Sequence, residues 1–175
     1  MPRIELDLNP VTYITTDAIG KPGERVFYLQ GRQGEQIVTL LVEKVQVQSL
    51  AIGVEQFLDE LKEKYPDLPE PTEEFQEEPM HIHPPVDPLF RIGELGLGYD
   101  ADRELAVLIA KEIVGDGENA DDAGVVRFWC TRSQLKAMCR WGLILTNRGR
   151  PICPQCGEPM DVSGHFCPKK NGHKH

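Results

Sequence analysis

Residues 125–145, VVRFWCTRSQLKAMCRWGLIL, carry the signals of a strand and of a helix in one continuous run. The opening VVRFWC is rich in β-branched and aromatic residues and predicts a strand. Thr131 fits a helix N-cap, and Gln134 completes a capping box in which its side chain reaches back to the N-cap backbone. The apolar residues that follow recur at helical spacing, so one helix face is expected to be buried. That face carries Leu135, Met138, Cys139, Gly142 and Leu145.

The chain before this unit contains strand patterns and one further helix. The helix is predicted from about Lys44 to Tyr65, where apolar residues again recur at helical spacing and Pro66 ends it. The glycine-rich residues 31–34 are expected to connect two strands as a hairpin. The glycines of residues 93–98 favour a bulged strand. Strand composition is found at residues 11–19, 25–30, 36–43, 89–99, 104–114 and 125–130.

The two predicted helices match at a constant offset of 88 residues. Gln46, Val47, Leu50 and Ala51 correspond to Gln134, Leu135, Met138 and Cys139. Each helix follows about three strands, so the chain is interpreted either as a duplicated strand–strand–strand–helix unit or as two amphipathic helices that match by coincidence. In both cases hairpin spacings dominate and parallel crossovers are lacking. The pattern therefore predicts an α+β fold with mostly antiparallel sheet and two helices.

Charge is distributed unevenly along the chain. The whole sequence of 175 residues has a net charge of -9 and is 40% hydrophobic, which is typical of a soluble globular protein. Residues 66–88, here called the acidic segment, contain seven acids, no Lys or Arg, and seven of the 14 prolines. This composition predicts an extended, mobile linker or a surface loop. The expected organisation is a first half at residues 1–65, the acidic segment, a second half at 89–148 and a tail at 149–175.

A basic stretch without any acid runs from Ala123 to Gly157. Within it, Arg132, Lys136 and Arg140 are spaced by four residues, so a helix stacks them along one face. Such a surface favours RNA or another polyanion, because Lys and Arg neutralise phosphates. The alternatives are pairing with the acidic segment, plain solvation, or masking by the acidic segment until a partner displaces it. The candidate anion-binding residues are Arg127, Arg132, Lys136, Arg140, Arg148 and Arg150.

The tail contains three of the five cysteines and predicts a small zinc ribbon. Cys153 and Cys156 form a Cys-x2-Cys pair followed by glycine, and Cys167 supplies a third thiolate. His165 and His173 compete for the fourth position, and by spacing alone His173 gives the more ordinary pattern. A redox pair or a disulfide is the alternative, which the absence of a signal peptide disfavours. With four protein ligands such a zinc is structural, because no coordination position stays open for catalysis.

Several stretches resemble an uncharacterised bacterial family, domain-of-unknown-function family 3090. They are PGERVFYLQ near the N-terminus, the helix start VEKVQV, and the tail RPICPQCGEPMDVSGHFCPKKNG. Family tails contain Cys-Pro-x-Cys, Gly-His-x-Cys-Pro and Asn-Gly, and often have tyrosine where this chain has His173. The resemblance therefore implies Cys153, Cys156, His165 and Cys167 as the zinc ligands, with His173 in reserve. It implies no activity.

No catalytic motif accompanies these features. The sequence lacks the nucleophile elbow, the phosphate-binding loop and the helical zinc-protease motif. His81 and His83, with Asp87 nearby, are interpreted either as a metal site or as incidental polar residues of a loop. Cys130 and Cys139 lie in apolar sequence and are expected to be inert core thiols.

We therefore expect a cytoplasmic, non-enzymatic binding or adaptor protein with an unidentified protein partner. Charges in the first ten residues argue against a secretion signal, and no apolar run is long enough for a membrane helix. An RNA-binding protein that uses residues 131–148 and the ribbon is the first alternative. An enzyme with a pocket between the two halves is the second.

Overall fold

Two β-sheets and two α-helices make up the described part of the chain. The computed structural model describes residues 3–21, 23–84 and 86–148. Short 3₁₀ turns lie at Glu78–Met80 and Ala120–Asp122. The strands are β1 Glu5–Leu8, β2 Tyr13–Ile19, β3 Val26–Gln33, β4 Gln36–Val42, β5 Ile92–Asp100, β6 Leu105–Glu112 and β7 Val125–Cys130, and the helices are α1 Lys44–Lys64 and α2 Arg132–Arg148. The predicted zinc ribbon lies outside the described residues.

The strands are mostly antiparallel, with one parallel pair at a sheet edge. The first sheet has the order β1-β7-β6-β5, and the second has the order β2-β3-β4. The α+β fold with two helices is confirmed. The first sheet is mixed and not antiparallel throughout, because β1 runs parallel to β7 from Glu5 opposite Val125 to Leu8 opposite Phe128. This four-residue strand is too short and too polar to give a strand signal of its own.

The two halves have the same order of elements. Each half consists of three antiparallel strands followed by a helix, β2–β4 with α1 and β5–β7 with α2. Val42 and Cys130 end the last strands, and the helices begin at Lys44 and Arg132, so both landmarks keep the offset of 88 residues. The expected bulge is present at Gly93, where the β5–β6 register shifts. A common origin of the halves stays a prediction.

The lead-in to each half pairs with the last strand of the other half. Strand β1 precedes the three antiparallel strands of the first half and pairs with β7. The residues before β5 do the same on β4, where Arg91 forms a parallel bridge with Leu41 and the Leu41 N–H donates to the Phe90 carbonyl at 2.9 Å. Each sheet is therefore completed by chain from the opposite half, and the halves form one body.

Two glutamines extend this exchange to the helices. Gln46 accepts a hydrogen bond from the Glu43 N–H at 2.8 Å and donates to the Ile92 carbonyl at 3.1 Å. Gln134 accepts from the Thr131 N–H at 2.9 Å, which confirms the predicted capping box. Its amide donates to the Thr12 carbonyl, at the start of the first half. Each glutamine ties its own helix start to the first strand of the other half.

The core lies between the two sheets, and Gly31 lies where the second sheet packs against the first. Residues 31–34 were expected to be the hairpin connection, but β3 continues to Gln33 and the turn lies at Gly34 and Glu35. Gly31 faces the first sheet, where a Cβ atom on it would lie 2.5 Å from the Phe128 ring. The glycine is therefore needed for packing against that ring, and it lies within β3 and not in a turn.

The acidic segment lies against the body. Its Met80 side chain is buried, and the Met80 carbonyl accepts a hydrogen bond from the Thr15 Oγ1 at 2.5 Å. Of the two expected forms, a linker or a surface loop, the described residues 66–84 fit the surface loop. Proline and acid content identify an extended segment, but they do not reveal the apolar Phe75 and Met80 that hold it to the core.

Replacing Gly31 with alanine tests the packing between the sheets. We expect Gly31→Ala to lower the free energy of unfolding by about 1–3 kcal/mol, because the fully buried Phe128 ring has no room to retreat. The matched control is Gly53→Ala in α1, where an added Cβ meets nothing within 4 Å and stability should rise by roughly 0.5–1 kcal/mol. Chemical denaturation measures both, and equal effects would contradict the assignment.

Candidate functional site

A pocket of about 380 Å³ lies between α1, α2 and the acidic segment, and is here called the interhelical pocket. The two helices pack against each other along their apolar faces, and residues 68–73 of the acidic segment close one side. Its apolar lining consists of Ala51, Val54, Leu58, Leu68, Cys139 and Leu143. The pocket is formed by both halves of the chain, as the enzyme alternative expected.

One wall of the interhelical pocket is basic. The capped helix α2 places Arg132, Lys136 and Arg140 along one face, here called the basic face, and all three line the pocket. The four-residue spacing predicted this arrangement. The residues that sequence reasoning missed are Glu55 and Asp59 on the opposite wall. Their own four-residue spacing on α1, away from its apolar face, was the signal available.

The acidic segment is bound to the basic face. Arg140 Nη1 lies 2.7 Å from Glu73 Oε1, and Arg132 Nη1 donates to the Pro69 carbonyl at 2.8 Å. The Thr72 N–H donates to Ser133 Oγ at 3.0 Å. From the other wall, Lys62 of α1 pairs with Glu70. The alternative of pairing between the acidic segment and the basic face therefore describes this structure.

Three charged side chains in the pocket have neither an ion-pair nor a hydrogen-bond partner among the described residues. Lys136 is half-buried on α2, between the positions of Arg132 and Arg140. Glu55 and Asp59 are exposed on α1. The pocket thus offers an ammonium group on one wall and two carboxylates on the other, which suits a ligand that carries both an anionic group and hydrogen-bond donors.

The predicted anion-binding residues do not form one surface. Arg127 lies on β7, where it pairs with Asp7 at 3.0 Å and Glu5 at 3.2 Å. The hydrogen bond to Asp7 is the main reason why the pKa of Arg127 is raised, and hydrogen bonds from Arg3 and Arg127 lower the pKa of Glu5. Arg148 ends α2, and Arg150 lies outside the described residues with the proposed zinc ligands Cys153, Cys156, His165, Cys167 and His173.

His81 and His83 do not come together as a metal site. His81 Nδ1 lies 3.1 Å from Asp17 Oδ2, and the Ile82 N–H donates to the same oxygen at 3.0 Å. The backbone of His83 exchanges hydrogen bonds with the Gln30 side chain. Across residues 3–21, 23–84 and 86–148 there is no group of three metal-ligating side chains. Asp17 and Gln30, polar residues inside apolar strands, hold the end of the acidic segment.

A family comparison covers most of the chain. The model of the family described as "Protein of unknown function (DUF3090)" matches residues 6–167. The chain belongs to this family. The predicted resemblance to this family is thereby confirmed. No curated protein and no solved structure matches this DUF3090 member. Within its described residues, neither helix has the length and apolar character needed to cross a membrane.

The thiol in the pocket is not a nucleophile at neutral pH. Burial raises the pKa of Cys139 to about 12, and the neighbouring Cys130 adds to the shift. Burial likewise raises the pKa of Cys130 to about 12. Because the thiolate is the reactive form, both side chains stay protonated and inert in the folded protein. The pocket therefore offers binding groups and lacks an activated cysteine.

We expect two of the five thiols to resist alkylation in the native DUF3090 protein. Iodoacetamide labelling at neutral pH, followed by peptide mass spectrometry, should leave Cys130 and Cys139 unmodified. In denaturant, the pKa values return to their ordinary range and both should react. Rapid native labelling of Cys139 would contradict the account and would restore an enzymatic role for the pocket.

Proposed function

We propose that this DUF3090 protein is a non-enzymatic binding module of the cytoplasm whose interhelical pocket takes an extended acidic segment of a partner protein. The observation that carries the proposal is the binding of the chain's own acidic segment to the basic face. A carboxylate on Arg140, a carbonyl on Arg132 and a backbone N–H on Ser133 are contacts that another extended acidic chain can make. The acidic segment then acts as an intramolecular competitor.

The energetics of these contacts favour exchange. The Arg140–Glu73 and Lys62–Glu70 pairs are about half exposed, and such surface pairs contribute about 0–1 kcal/mol each. The firm attachments of the acidic segment, at Met80 and Asp17, lie beyond the pocket. Residues 69–73 can therefore leave the pocket while the rest of the segment keeps its place.

RNA is the weaker candidate for the same surface. Base stacking on a single strand needs exposed aromatic side chains. Trp141, the aromatic residue next to the basic face, is 1% exposed, and it packs edge-on with Phe75 of the acidic segment. The carboxylates of Glu55 and Asp59 on the opposite wall also repel phosphates. A protein segment, which carries backbone donors for these carboxylates, suits the pocket better.

A peptide with the sequence of residues 66–77, PDLPEPTEEFQE, tests the proposal as a probe added in trans. Wild-type protein should bind it weakly, because the tethered copy competes at high effective concentration. The double variant Glu70→Gln and Glu73→Gln should bind it up to about tenfold more tightly, because two surface pairs are lost from the competitor. Fluorescence anisotropy of the labelled peptide gives both affinities.

Matched lysine variants show whether the pocket is the binding site. In the double-variant background, Lys136→Ala should weaken peptide binding several-fold, and Lys111→Ala, an exposed lysine on β6, should leave it unchanged. Equal binding in all variants would overturn the proposal. Oligouridine that binds with a strong salt dependence, while the peptide does not bind, would establish the RNA alternative instead.

We also propose a structural zinc in the tail, held by Cys153, Cys156, His165 and Cys167. The spacing of the three cysteines supports a zinc site, and the family match, which extends to Cys167 and ends before His173, favours His165 as the fourth ligand. Zinc binding supplies folding free energy where large apolar groups are few, as in residues 149–175. All four positions are filled by protein, so the metal is expected to stabilise the tail and to take no part in a reaction.

Elemental analysis tests the zinc assignment. Purified protein should contain about one zinc per chain, and Cys156→Ser should lose it while the circular dichroism of the body stays unchanged. His165→Ala should lose the metal and His173→Ala should retain it. Loss of zinc in His173→Ala, with zinc retained in His165→Ala, would assign the fourth ligand position to His173. Zinc retained in Cys156→Ser would refute the site.

A further inference from the structure

An apolar groove of about 300 Å³ lies between α1 and β5, on a different face from the interhelical pocket. It contains no charged side chain, and Val45 at its rim is 63% exposed. Helix α1 makes few contacts with β5, whereas α2 packs along β2. The residues that form the groove include Val45, Leu50, Gly53, Leu95, Gly96 and Leu97.

The equivalent surface, between α2 and β2, is filled. The offset of 88 residues makes Trp141 of α2 the counterpart of Gly53, and the strand registers make Thr15 of β2 the counterpart of Gly96. Trp141 is 1% exposed there, and residues of the acidic segment cover it. The His81 ring lies edge-on at 5.3 Å, and the Met80 carbonyl binds Thr15.

The covering chain follows the helix of the opposite half. The acidic segment leaves α1 and crosses the α2–β2 surface, in keeping with the exchange seen at β1 and at both glutamines. By the same arrangement, the chain that follows α2 is expected to reach the α1–β5 groove. Residues 149–175 exceed in number the 65–83 stretch that reaches from the end of α1 to His83, so their length suffices.

We propose that the tail, residues 149–175, docks in the α1–β5 groove of its own chain. The groove lacks an aromatic side chain because Gly53 stands where the other half has Trp141. The tail has one aromatic residue of the Phe, Tyr and Trp class, Phe166, with Met160 and Val162 before it. These side chains supply the apolar volume that the groove lacks. The inference is independent of the proposed function of the interhelical pocket.

Photo-crosslinking in the full-length, metal-loaded protein tests the docking. p-Benzoylphenylalanine at position 49, which lines the groove in place of Ser49, should cross-link to peptides of residues 149–175. The same residue in place of Glu35, in the β3–β4 turn, should not. A mixture of ¹⁵N-labelled and unlabelled protein separates links within one chain from links between chains. Links only to the body, or only between chains, would overturn the proposal.

A variant whose groove is filled by a side chain provides a second test of the docking. Gly53→Trp adds the side chain of the counterpart Trp141, and no atom within 4 Å blocks its Cβ. The variant should release the tail, so that trypsin cleaves at Lys169 and Lys170 several-fold faster while zinc content stays the same. Glu60→Trp, exposed on α1 outside the groove, is the size-matched control. Cleavage as slow in Gly53→Trp as in the control would refute the docking.

Discussion

The pairing of each half with a strand from the other half is the constraint on which the rest of the structure depends. Strand β1 completes the sheet of the second half, and the residues before β5 join the sheet of the first. Hydrogen bonds from Gln46 and Gln134 extend this exchange to the helix starts. Because neither sheet is complete without the opposite half, the helices are brought side by side, and the interhelical pocket forms where they meet.

The charge of the surface around the pocket depends on this geometry as much as on composition. The net charge of -9 suggests a protein that avoids anions, yet the acidic segment carries seven of the acids and lies on the basic face. Its carboxylates neutralise Arg140 and Lys62, so the charge of this face depends on the contacts that residues 69–73 make there. Ion pairs that are weak one by one thus set the charge of a whole face.

The sequence predicted the elements with a strong local signal and missed those fixed by distant contacts. Both helices, the Thr131 cap and the basic face follow from spacing within a few residues. Strand β1 was missed because its partner is more than a hundred residues away. The end of β3 was misplaced because Gly31, which was taken for a turn residue, is a strand residue that packs against the Phe128 ring. The spacing of Glu55 and Asp59 places them on one side of α1. That this side becomes a wall of the pocket depends on how the two helices pack, which local spacing does not reveal.

The two equivalent surfaces between a helix and the first strand of the opposite half differ in the side chains they carry. Gly53 of α1 and Gly96 of β5 lie at one surface, where Trp141 of α2 and Thr15 of β2 lie at the other, and these four positions decide whether the surface between helix and strand is open or filled. A large aromatic residue fixes the acidic segment beside the interhelical pocket, whereas the two glycines leave room for a further segment of the chain. Under the two proposals made above, one site holds a segment through apolar contacts and the other exchanges a segment through surface charge, because the two sites share no lining residue.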